Sequence, residues 1–338
     1  MPARPHTKWG FAALFGIAGA VLVGIVVLAF VWPIATASAR DLPVAIAGPD
    51  AQVNAIESAV ASGSDGAIAF TPVADRDAAV ASIERRETYG AIVLGPAPEV
   101  LVASAANASV ASLLRSTATE LQAGLQAQAP GAVVTVTDVV PLSASDPNGS
   151  GLVAASFPLV LGGMLGGILI SFLVVGVLRR FVALGICSLA AGVLLALVMQ
   201  TWFGFLQGDF ALNALALALS MLGTASFIVG LHALLGTRGI PVAAVITMLV
   251  GNPISGASLP HEFIASPWGT IGQYFVPGAA SSLVRELSYF PQANPTMQWL
   301  VLGAWSAAGL ILSAAGHFRS RAPIALPAVE LSEGAHAA

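Results

Sequence analysis

From residue 152 to 318 the chain is almost unbrokenly apolar, a second apolar stretch fills residues 10–34, and a polar interval at 41–150 separates them. A bilayer core about 30 Å thick needs roughly 20 apolar residues of helix to cross it. Residues 11–32 supply that length without a charge. Short polar punctuation cuts the long block into 152–178, 181–205, 211–235, 240 to about 259, and 297–317. The expected fold class is therefore an α-helical polytopic membrane protein with six transmembrane helices. Helix one lies at 10–34, helices two to five lie within 152–259, and helix six lies at 297–318. An α/β extracytoplasmic domain at 41–150 is inserted between helices one and two. A composition 57% hydrophobic and 9% charged excludes a soluble globule, so membrane lipid is the main solvent.

Short loops rich in Lys and Arg stay in the cytoplasm. Arg4 and Lys8 precede helix one, Arg179 and Arg180 join helices two and three, Arg238 joins four and five, and Arg319 and Arg321 follow six. All fall on one face, which makes the 1–9 segment and the 319–338 tail cytoplasmic. The domain, the Gln207-Gly208-Asp209 turn and an extracytoplasmic segment at 260–296 fall on the other, together with two exceptions, Arg40 and Arg285. Ala37-Ser38-Ala39 resembles a signal-cleavage site, but the apolar run before it exceeds the 7–15 residues of a signal core, so a retained anchor is expected. The Ala, Gly and Val bias suggests a bacterial plasma membrane.

Within 41–150 the pattern changes to short β runs and helical windows. Residues 44–47 lead through Gly48-Pro49-Asp50, a turn and cap, into a helix with Val53, Ile56 and Val60 on one face. Strands follow at 67–73, 89–94, 100–103 and 133–140, with helices after Asp75 and over 109–127. The order β-α-β-α-β-β-α-β implies a small mixed sheet with helices packed on it. Asp75, Arg76, Asp77, Glu84, Arg85, Arg86 and Glu87 read as a solvated helix face. Residues 141–151 read as a flexible hinge that decouples the domain from the membrane block.

In the second span Gly162, Gly163, Gly166 and Gly167 form two overlapping small-xxx-small pairs, a helix-packing face for close backbone approach in lipid. Ala12, Gly16, Ala20 and Gly24 give helix one a comparable face. Charge inside the spans is nearly absent, which argues against an ion-coupled carrier; His232, Gln200, Asn213 and Thr247 read as headgroup-level or interhelical polar groups. From 251 to 295, Pro253, Gly256, Pro260 and Pro277 break an apolar run into a re-entrant or interfacial segment. There Leu283 and Leu287 mark the apolar face of a short helix whose other face carries Arg285 and Glu286.

Catalytic and metal chemistry have little to stand on. Cys187 is the only cysteine, and His261-Glu262 lacks the second histidine of a zincin motif. Lys8 is the only lysine, so a Walker A loop cannot be assembled from this chain. No catalytic residue, metal site or cofactor is assigned, and no basic patch points to nucleic acid.

One span, an external α/β domain, five spans and a Pro/Gly-broken segment before the last resemble the type-2 membrane (permease) subunits of ATP-binding-cassette exporters. Small actinobacterial permeases and the phage-infection-protein group are similar. The resemblance rests on residues 44–50, Tyr89-Gly90-Ala91-Ile92-Val93-Leu94, Asn252-Pro253-Ile254-Ser255-Gly256, Pro260 and 277–287. It implies two permease subunits, as a homo- or heterodimer, lining a path between them. It also implies a cytoplasmic ATP-binding-cassette ATPase in trans, so that this chain is not itself an enzyme. In place of the family's coupling helix, the link between helices two and three is little more than Arg179-Arg180. The alternative is a non-transporting membrane-anchored receptor or assembly scaffold that uses its external domain.

Overall fold

The computed structural model describes residues 8–63, 66–128 and 131–319; Arg4, Arg321 and the tail from 320 lie outside the described residues. The chain begins with α1 (Trp9–Ala35), then threads β1 (Leu42–Ala47), α2 (Asp50–Gly63), β2 (Ile68–Pro72), α3 (Arg76–Glu84), β3 (Gly90–Val93), β4 (Glu99–Val102), α4 (Ala108–Gln128) and β5 (Thr135–Asp138). The helical block follows: α5 (Ser150–Leu173), α6 (Val177–Ala196) with a π-helical turn Leu197–Trp202, α7 (Phe210–Leu235), and α8 (Gly239–Ala244) with a π-helical turn Val245–Gly251. It closes with α9 (Trp268–Gly272), α10 (Val276–Tyr289) and α11 (Thr296–Arg319).

The domain is a five-stranded sheet in the order β2-β1-β3-β4-β5, parallel except between β3 and β4. Alternate residues of a strand face opposite sides. Leu42, Val44 and Ile46 of β1 accordingly pack with Val110 and Leu114 of α4, while Ala45 faces Ala79 and Ile83 of α3. A strand covered on both faces reads as a continuous apolar run, and β1 does. Helix starts are fixed by side-chain acceptors: Asp75 takes Ala78 N–H at 2.8 Å, and Asn107 takes Ser109 N–H at 2.9 Å.

Five helical stretches are long and apolar enough to cross a membrane, so the chain is a polytopic helical protein carrying a small sheet domain. One of the five, Phe210–Gly251, contains α7 and then, beyond a turn at Gly236–Arg238, the shorter α8 doubling back. The fifth expected span, 240 to about 259, is helical only to Gly251. It ends at Asn252-Pro253, where proline supplies no N–H to continue the helical hydrogen bonds. At 1.5 Å per residue α8 and its π turn reach about 20 Å, short of a core about 30 Å thick.

The hub is α7, most of whose residues between Asn213 and Gly230 are buried. Its tightest neighbour is α11, which runs beside it in the same direction. Gly309 abuts the Ser226 and Phe227 main chain, Gly230 abuts the Gly309 carbonyl, Gly316 abuts Ala233, and Ser226 Oγ donates to Ser306 O at 3.3 Å. On another side of α7 lies α5, where a Cβ on Gly163 would meet Thr224 Cβ at 2.9 Å and one on Gly167 would meet Ala225 O at 2.8 Å. Gly162 and Gly166 have looser neighbours, the Met221 methyl and the Cys187 sulfur, both at 3.4 Å. The first helix stands apart. Nothing lies within 4 Å of a Cβ added at Gly16 or Gly24, and α1 meets the rest mainly through its last turns, as where Phe30 packs edge-on to Phe157.

The 141–151 segment departs from the hinge expected of it, because its polar side chains find fixed partners. Ser143 Oγ donates to Gly204 O at 2.7 Å, Leu142 N–H reaches Ser104 Oγ at 3.0 Å, and Asp146 caps α5 by accepting from Gly151 N–H at 2.9 Å and Leu152 N–H at 3.2 Å.

Candidate functional site

Two half-length helices and the chain between them carry the most unusual backbone in the helical block. After Gly251 the chain rises to the domain, where Phe263 packs against the β1/α4 core and its carbonyl accepts from Ser38 N–H at 3.1 Å. It then descends through α9 to Val276, whose Cγ2 would lie 3.3 Å from a Cβ on Gly223, midway along α7. From there α10 climbs back beside α7, with Val276, Ala279, Ala280, Leu283 and Val284 in the bundle core alongside Leu217 and Leu302. Immediately after α10, Phe290 is 2% exposed and sits in the sheet's α3-side core with Ala45, Ile83 and Leu101. The domain core thus contains a side chain delivered by the re-entrant segment.

The residues singled out from the sequence are distributed along this path. Pro253 and Gly256 line a cleft against α1 and α5, and Pro260 precedes a short turn, His261–Phe263. Pro277 lies in the first turn of α10, where its missing N–H costs no helical hydrogen bond. Leu283 is fully buried, and the Leu287 carbonyl abuts Gly208. Arg179 and Arg180 open α6, and Arg180 donates to Val174 O at 2.8 Å and Ser171 O at 3.1 Å, closing the end of α5. Arg238 lies in the turn after α7 and Arg319 at the end of α11, so these four arginines share the end of the bundle away from the domain. His232 is at that end too, its ring 5.4 Å from that of Phe172. At the opposite end Asn213 Nδ2 donates to Gln200 Oε1 at 3.0 Å, while Thr247 bonds within its own helix.

Arg285 and Glu286 are buried, not on a solvated face, because the domain covers the polar side of α10. Arg86 Nη1 donates to Glu286 Oε1 at 3.0 Å, and Gln298 Nε2 donates to the same oxygen at 3.0 Å. The Arg86 guanidinium also lies over the Phe290 ring, 5.5 Å from its centroid. Its backbone φ of +58°, just past the end of α3, is a left-handed conformation ordinarily filled by glycine or asparagine. Arg285 donates to the Ala106 and Ala257 carbonyls.

Beside this pair Tyr89 Oη donates to Glu262 Oε2 at 2.9 Å, and His261 Nδ1 lies 3.2 Å from the same oxygen. Gln273 bridges the returning strands of chain, donating to Ser255 O and accepting from Ser282 Oγ, both at 2.9 Å. Arg86, Tyr89, Glu262, Gln273 and Glu286 line a cavity of about 340 Å³. Burial shapes the ionisation here. It pushes the Glu286 carboxyl up, with Arg86 opposing, and pushes the Tyr89 phenol up, reinforced by the charge of Glu262. It lowers Arg285 to about 10, aided by the like charge of Arg86.

The polar seam ties the domain to the helical block through Arg86, Glu286, Tyr89 and Glu262. Among the described residues no three His, Cys, Asp or Glu side chains converge as a metal site. Sequence periodicity separated the apolar and polar faces of α10 but carried no signal that Arg86 and Tyr89, roughly 200 residues earlier, cover the polar one. Comparison with family models, with curated proteins and with solved structures gives no match.

Proposed function

We propose that the chain is the membrane-spanning permease subunit of a type-2 ATP-binding-cassette exporter in a bacterial plasma membrane. Its sheet domain is extracytoplasmic, both termini are cytoplasmic, and a second permease subunit and a separate ATPase complete the machine. The observation that carries this reading is the broken re-entrant element. In the hydrocarbon layer irregular backbone is tolerated only where protein or a water-filled path surrounds it, and transporters place such breaks at their pathways. Here the break meets α7 at mid-length, and α10 leads from it directly into the core of the domain. The arginines at the far ends of α5, α7 and α11 support a cytoplasmic assignment for that end.

The cavity of about 340 Å³ at the seam, on the domain side, also suits a receptor or assembly scaffold that moves nothing. Affinity purification of the tagged chain from native membranes in mild detergent, followed by mass spectrometry, separates the two. A co-purifying nucleotide-binding subunit supports the permease. Recovery of the chain without one, together with unchanged export on its deletion, would overturn the permease in favour of the scaffold.

A further inference from the structure

Arg285 is 9% exposed, and its two terminal nitrogens donate to main-chain oxygens, those of Ala106 and Ala257, the latter at 3.5 Å. Among the described residues no carboxylate forms an ion pair with it, and the neighbouring Glu286 is committed to Arg86. Removing a guanidinium from water is costly, and neutral carbonyls offset that cost less well than an anion does.

What surrounds Arg285 is not solid. It lines a polar cleft of about 100 Å³ with Ser104, Asn107, Asn148 and Ser258, and the end of an apolar cleft of about 40 Å³ that continues past Leu159, Met199 and Leu217. A third cleft of about 210 Å³, walled by Phe30 and Pro33 of α1, Phe157 of α5 and Pro253, adjoins both. Val153 and Ser258 are common to the first and third, and Ser156 and Ala257 to the second and third. The third is bounded by α1, which touches the bundle mainly at this end, leaving the gap between α1 and α5 facing the apolar surroundings of the helices. Arg285 also lies near one end of a membrane-length helix. One turn further along α10, Ser288 Oγ lies 3.4 Å from Asn213 Oδ1, close to the start of α7.

We propose that the α1–α5 gap admits an anionic lipid, its headgroup against Arg285, the first carbons of an acyl chain in the apolar clefts and the rest of both chains outside the gap among the surrounding lipid. The site distinguishes lipids by charge: a net-anionic headgroup supplies the counter-ion that Arg285 lacks, and a zwitterionic one brings its own cation beside that guanidinium. The proposal concerns binding and holds whether or not the chain exports anything, so its failure leaves the permease reading untouched.

The test is native mass spectrometry of the full chain in detergent with phosphatidylglycerol, phosphatidylcholine or inorganic phosphate added. Both lipids present an ionised phosphate to Arg285, so the difference comes from the added choline cation, whose repulsion of the guanidinium near a protein surface should make the wild type retain phosphatidylglycerol about tenfold more strongly than phosphatidylcholine. Arg285→Lys should keep that preference and Arg285→Gln should abolish it. Ser156→Phe, which fills the shared wall of the clefts and leaves the cation in place, should reduce retention of phosphatidylglycerol; it carries the test if the glutamine variant fails to fold. Equal retention of the two lipids by the wild type, an undiminished preference in a folded Arg285→Gln protein, or undiminished retention of phosphatidylglycerol by a folded Ser156→Phe protein, would overturn the proposal. So would inorganic phosphate displacing the lipid, since that describes a free-anion site.

Discussion

Replacing Gly309 with alanine should force α11 away from α7. A Cβ at this position would press directly on the Ser226 and Phe227 main chain, which has no side-chain rotamer with which to yield. The opposite wall is equally tight, since a Cβ on Gly230 would lie 2.9 Å from Leu312 Cβ. Carbon atoms need about 3.5–4.0 Å, so the helices must part by roughly 1 Å. A gap of that size forfeits about a third to a half of each pair's attraction of about 0.15 kcal/mol, and over on the order of 40 pairs the loss is about 2–3 kcal/mol. The Ser226–Ser306 hydrogen bond, 3.3 Å long, would be stretched as well, at about 0.6 kcal/mol. Gly303→Ala is the control on the same helix: nothing lies within 4 Å of its Cβ position, so its effect should stay within about 0.5 kcal/mol. Thermal denaturation of the detergent-solubilised variants, followed by loss of the monodisperse chromatographic peak, should place Gly309→Ala several degrees below both wild type and control. Equal melting of the two variants would refute the assignment of this seam as the closest packing in the bundle.

The double-glycine face of α5 should be lopsided in the same assay. Gly167→Leu, aimed at the Ala225 backbone, should cost at least about 2 kcal/mol, whereas Gly166→Ala, facing only the Cys187 sulfur at 3.4 Å, should cost less than about 1 kcal/mol; similar losses at both would argue against that orientation of α5. At the seam, Arg86→Ala leaves Glu286 buried without its cation and should destabilise by about 3 kcal/mol, the lower figure for breaking a buried pair. Glu286→Gln should behave differently, and pH exposes why. A carboxyl held above its ordinary value favours the fold when protonated, an advantage fully present below about pH 4.3 and lost as pH rises through the raised value. Wild type and Glu286→Gln should therefore melt together in acid and separate at pH 8 with the glutamine protein the more stable; a wild type that gains on the variant with rising pH would show that the pair, not burial, dominates.

The α/β domain was legible because its signals are local. β-branched runs, the Asp75 cap and the turn at Gly48-Pro49 each act within a few residues, and the alternating element order follows from them. Strand order was not, since the placement of β1 between β2 and β3 depends on which apolar faces meet. Span length was legible from composition, but where the fifth helix stops was not, because the apolar run continues past Asn252-Pro253 while the helix does not. The small residues at 226, 230, 306, 309, 313 and 316 carried a usable packing signal at helical spacing, hidden beside the more conspicuous pair of double glycines at 162–167. The least legible feature was the fate of Arg285 and Glu286. Helical periodicity reports that two faces differ in polarity and says nothing about what covers the polar one.

That covering has a mechanical consequence. Phe290 is locked into the sheet core, Tyr289 Oη donates to Phe205 O at 2.6 Å, and Arg86 grips Glu286, so the last turn of α10 is held by the domain and by the end of α6 together. The first turn of α10 is held differently, by Val276 in the middle of the bundle and by Gly278 against the Gly272 carbonyl. A rigid helix of 14 residues, about 21 Å long, anchored in separate bodies at its two ends cannot tilt without moving one of them. Any rearrangement at the break beyond Gly251 must therefore either displace the domain or break the Arg86–Glu286 pair. Crosslinking domain to bundle across that pair, with cysteines replacing Arg86 and Glu286 in a Cys187→Ser background, would hold α10 fixed while leaving every span intact.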